Sequence, residues 1–182
     1  MYASFRLVRF AAVTISALAL TGCATFDVSS FRERGADFTR YRTYDWGPPD
    51  SWSTGDPRLD DNPFFQNRVR TDVDEQLATK GFEKTTSGRP DLRVHYHASI
   101  TQRIDSQGID KESGYCVTHD CRPYVYEAGT LLIDLVDTGS NRVVWRGWAE
   151  GSVDGVIDNQ EWLERRIGDA VTRIFKQLPR RL

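Results

Sequence analysis

The chain is poor in the residues from which most recognisable sites are built. Only three of its 182 residues are cysteine and three are histidine. Three cysteines cannot make a disulfide-dense scaffold, and no second pair exists to complete a two-halved zinc knuckle. The most apolar stretch, Phe10 to Leu20, falls well short of the roughly twenty residues needed to cross a bilayer as a helix. Neither sign of charge dominates, with 24 basic against 26 acidic residues, so nucleic acid is not an expected partner. No G-x-S-x-G elbow, H-E-x-x-H helix, P-loop or glycine-rich dinucleotide turn occurs. The expectation is a protein that is not an enzyme and carries no cofactor.

What is present begins at the N-terminus. Arg6 and Arg9 precede the Phe10–Leu20 stretch, the arrangement of a signal peptide with a positive n-region and an apolar h-region. Leu20-Thr21-Gly22-Cys23 follows at once, and it is similar to the bacterial lipobox, in which the cysteine is acylated and becomes the first mature residue. On that reading residues 1–22 are a lipoprotein signal, and Cys23 carries the lipid that anchors the chain to a membrane. Two or more acyl chains suffice for stable anchoring. Ala24 in place of Asp resembles the pattern of outer-membrane delivery, with the domain facing the periplasm. Without the signal, the charge is mildly negative, because the signal holds two of the basic residues and none of the acidic ones.

With Cys23 lipidated, Cys116 and Cys121 remain as an even pair in an oxidising compartment, and a disulfide is the expected state. The ring is short, so the staple contributes only about 2 kcal/mol. Two alternatives stay open. The cysteines are free thiols, or they bind metal with His119 and with His95 or His97.

Periodicity then gives the elements. Residues 23–38 read as an acylated N-terminus and tether ahead of a single domain at 39–182. "YRTYDW" alternates like a strand and ends at Gly47-Pro48-Pro49. Asn62 and Pro63 open a helix with an apolar stripe of Phe65, Val69, Val73 and Leu77, closed by Gly81. Asp72, Asp74 and Glu75 are expected on its solvated side. "DLRVHYHASI" places Leu92, Val94, Tyr96, Ala98 and Ile100 inward, and Arg93, His95 and His97 on the opposite face. Residues 102–123 read as an irregular excursion. A hairpin follows, with Leu131, Ile133 and Leu135 in one arm, Val143 and Trp145 in the other, and a turn at Thr138–Asn141. Leu132, Val144 and Trp148 fall on the other side, which is more apolar than a solvated sheet requires. Either the N-terminal segment covers that side or it is a partner surface. Asp158, with Glu161 three residues on, is expected to cap a last helix with the stripe Leu163, Ile167, Val171, Ile174 and Leu178. The implied fold is α+β, a small and mostly antiparallel sheet with two amphipathic helices on one face.

"YRTYDW", "DPRLDDNPFFQNRVRTDVDEQLATKGF", "PDLRVHYHA" and "GTLLIDLVDTGSNRVVWRGWAEG", in that order and behind a lipobox, resemble the bacterial lipoproteins of the domain of unknown function 4136 family. The resemblance implies a lipid-anchored envelope protein with a small mixed domain. It brings no activity and no catalytic residues. The expected role is binding or scaffolding toward an unidentified envelope protein. The competing expectation is a small-ligand or metal-binding protein that uses His95, His97 and the Cys116–Cys121 loop.

Overall fold

The computed structural model describes residues 26–48, 53–105 and 124–180. Cys23, Cys116, His119 and Cys121 lie outside these residues, and so do the expected signal and lipobox-like segment. The elements are β1 (Asp27–Arg32), β2 (Thr43–Trp46), α1 (Pro63–Thr79), β3 (Glu83–Lys84), β4 (Leu92–Asp105), β5 (Tyr124–Asp137), β6 (Arg142–Ser152) and α2 (Gln160–Lys176). They form one six-stranded sheet in the order β1-β6-β5-β4-β2-β3.

The α+β class is as expected, but the sheet is mixed rather than mostly antiparallel. β2 runs parallel to both β3 and β4, while the remaining pairings are antiparallel. The reason lies in α1: a helix between two strands returns the chain to the same end of the sheet and makes the next strand parallel. The tether reading also changes. Asp27–Arg32 is an edge strand on β6 that turns Val28 toward the core, so the sheet begins before residue 39. The expected excursion is shorter too, because β4 continues to Asp105 and β5 starts at Tyr124.

Helix α1 forms where the sequence places it. Asn62 accepts a hydrogen bond from Phe65 N, Pro63 fills the first helical position, and Gly81 takes φ +87 beyond the C-cap. Asp72 departs from expectation: it is 6% exposed and paired with Arg68, whose Nη1 reaches Glu164 on α2 at 2.6 Å. Asp74 likewise turns inward and accepts from Tyr44 Oη at 3.0 Å and Trp46 Nε1 at 2.9 Å, tying α1 to β2. Helix α2 is capped one residue later than expected, by Asn159, which accepts from Trp162 N, while Asp158 pairs with Arg58.

Both helices cover one face of the sheet. The stripe residues of α1 and α2 share a core with Leu92, Val94, Ile133, Leu135 and Trp145, and Trp145 packs on Phe175 at 5.7 Å between ring centroids. Among the described residues the opposite face carries no helix.

The candidate site on the helix-free sheet face

Strand register builds this face row by row. One row runs Ser29, Trp148, Leu132, His97 from β1 to β4, and the next runs Phe31, Arg146, Asp134, His95. Alternation sends these side chains away from the helices. Leu132 and Trp148 are partly exposed, and Phe31 is 50% exposed.

At the centre sits an ion pair that sequence reasoning missed. Arg146 Nε donates to Asp134 Oδ1 and its Nη2 to Asp134 Oδ2, each at 2.6 Å. Asp134 is 4% exposed despite lying on a face without a helix. A two-pronged bond of this kind is the strong form of a carboxylate contact, and the Asp134 carboxylate lifts the Arg146 pKa above its ordinary value. His97 Nε2 lies 3.8 Å from Asp134 Oδ2. Half of the signal was available, an acid inside the apolar run "LLIDLV". Its partner was not, because counting back from the turn sets Asp134 opposite Trp145, and only the bulge beside Leu135 brings Arg146 to face it.

The sequence-derived residues are thus only partly brought together. His95 and His97 occupy adjacent rows, with the His95 ring against Gly47, where an added Cβ would come within 2.0 Å of it. Among the described residues no three His, Cys, Asp or Glu groups converge as metal ligands. Leu132 and Trp148 do share the face. Val144 does not belong to it: it is 2% exposed and part of the core. A bulge between Leu135 and Val136 shifts the register, pairing Val136 with Val143 and leaving Val144 as the extra residue. Val143, expected inward, therefore shares a row with Val136 instead.

The arrangement is a polar centre, Arg146 with Asp134 and the two imidazoles, edged by Trp148, Leu132 and Phe31. Arginine and tryptophan in such a setting are the residue types that dominate protein-contact energetics. Phe31 was missed because its strand read as tether.

A family model described as domain of unknown function (DUF4136) matches residues 28–180. Among solved structures, a DUF4136 family protein from Bacteroides thetaiotaomicron is 12% identical, with a TM-score of 0.51 over 86% of this chain and 97% of that one. A PelC dodecamer from Paraburkholderia phytofirmans is 10% identical, with a TM-score of 0.50 over 87% of this chain and 100% of that one. A PDZ domain protein from Parabacteroides distasonis is 14% identical, with a TM-score of 0.52 over 85% of this chain; the match spans only 35% of that protein. At such identities the likeness is one of fold. No curated protein matches the chain.

Proposed function

The chain belongs to the DUF4136 family, and from that premise we propose a cell-envelope protein of binding or scaffolding type without catalytic activity. It is held in the outer membrane by acyl chains on Cys23, faces the periplasm, and docks an envelope protein on its helix-free sheet face. The observation that carries this reading is the composition of that face. Phe31, Trp148 and Leu132 surround Arg146, which is bound to a carboxylate almost wholly removed from water. A soluble sheet face with no partner has no need of such an apolar edge.

The competing metal-binding reading draws less support, because the described residues bring no third ligand to His95 and His97. A photo-activatable residue at position 132, in whole cells, is the direct test. The expected result is a discrete adduct with an envelope protein that is absent when the same residue stands at the exposed Glu161 on α2. Equal adducts from both positions would remove the face from consideration.

A further inference from the structure

On the other side of the sheet, beneath α2, lies an apolar cavity of about 60 Å³ that the docking reading does not use. Small residues create it. Ala98 of β4 and Ala149 of β6 flank Leu131 in one cross-strand row, and Ala170 of α2 also lines the space. A larger side chain at any of the three would fill it. Against a cavity of roughly 150 Å³ that takes benzene, a space of this size has room for about two or three carbon atoms.

The partly exposed edge of the cavity has a different chemistry. There the Arg166 guanidinium lies 3.8 Å from the centre of the Phe26 ring, and Arg173, two turns along α2, lies 5.9 Å from the same ring. Arg166 Nη2 donates to Ser152 O at 2.7 Å, and Asp169 holds Arg173 Nε at 3.0 Å. Gly151 makes the stack possible, since a Cβ there would stand 2.6 Å from Arg166 Nη2 and 3.0 Å from Phe26 Cδ1. Burial holds the Arg166 pKa below the usual arginine range; Asp169 raises it and the Arg173 charge lowers it again. One guanidinium at the rim of an apolar slot, with a second close to the same Phe26 ring, matches a ligand with a carboxylate at one end and a short alkyl chain at the other.

We propose that this cavity binds a small anionic amphiphile, a short straight-chain carboxylate whose alkyl chain fills the space while its carboxylate meets Arg166 and Arg173. About two or three carbon atoms fit, so butanoate, with its three-carbon alkyl chain, is the matched probe. The site lies on the opposite side of the sheet from the proposed docking face. The decisive experiment titrates butanoate and butanol into the purified full chain and follows melting temperature and heat of binding. Butanoate is expected to bind one-to-one and to raise the Tm, with butanol at least about tenfold weaker, because a charge-assisted contact is lost. Ala170→Leu should abolish binding of both, and Arg166→Gln should reduce butanoate to the level of butanol. Should Ala170→Leu fail to fold, Ala98→Val carries the same test. No binding of butanoate, equal affinity for butanol, or undiminished binding by a folded cavity-filled variant would each overturn the proposal.

Discussion

A Cβ placed on Gly147 would stand 2.4 Å from Trp145 Cη2 and 2.7 Å from Ile174 Cγ2. Gly147→Ala is therefore expected to destabilise the fold by about 1–3 kcal/mol, the usual cost of overpacking, measurable as a lower urea midpoint. Gly168 behaves in the opposite way. Its added Cβ would meet Asp72 Oδ2 at 3.5 Å and Arg68 Nη2 at 3.6 Å, both ordinary contacts. Since helical glycine costs about 1 kcal/mol relative to alanine, Gly168→Ala should raise stability by up to that amount. Acid adds a third residue-scale test. The Arg58 side chain holds the Asp56 carboxyl below its ordinary value of 3.8, and the Ser140 backbone N–H does the same for Asp137. A folded pKa below the unfolded one stabilises the protein above the unfolded value, and that contribution is lost as pH falls through the folded one. Stability should thus drop as pH falls below about 4, and Asp56→Asn should flatten part of that slope. At this scale the sequence was readable where one residue type has one job, as with Asn62 and Pro63. It misled where a carboxylate's role depends on the neighbouring element: nothing local to α1 distinguishes Asp72 and Asp74, both turned inward, from Glu75, which stays in solvent.

Strands show why element boundaries were harder to read than helices. Helices α1 and α2 run 17 residues each, so every apolar position reinforces the same face. β1 has six residues, of which Val28 alone is turned into the core, and its short polar sequence gives alternation little to work on. β3 has two residues and exists only because β2 offers it an edge. The parallel pairing of β2 is a tertiary result of the α1 crossover, and the bulge in β6 moves Val144 to the core without any glycine or proline to announce it. Two predictions belong to this scale. Asp74→Ala removes the acceptor shared by Tyr44 and Trp46 and the ion-pair partner of Lys84, so it should loosen β2 at a cost of about 2 kcal/mol. Hydrogen exchange should then rise first in residues 43–46. Trp148→Ala should weaken association with the envelope partner about tenfold or more while leaving the Tm nearly unchanged. A large fall in Tm would mean that the Trp148 ring serves the core and that the face is not an interface.

For the whole molecule, address and architecture come from separate parts of the chain. The family match and the sheet account for residues 28–180, while the proposed anchor rests on Cys23, upstream of both. No helix among the described residues is long and apolar enough to cross a membrane; the proposed attachment is through lipid on Cys23. The proposed address bears on Cys116 and Cys121 as well, since an oxidising compartment would favour their disulfide over metal-binding thiolates. Zinc added to the purified chain should accordingly leave the Tm unchanged. All of these claims meet in the intact mass of the protein extracted from membranes and alkylated first without and then with prior reduction. The account predicts a chain that begins at Cys23 and carries acyl chains, with Cys116 and Cys121 labelled only after reduction. An unacylated chain with two freely reactive thiols would contradict both the anchor and the compartment.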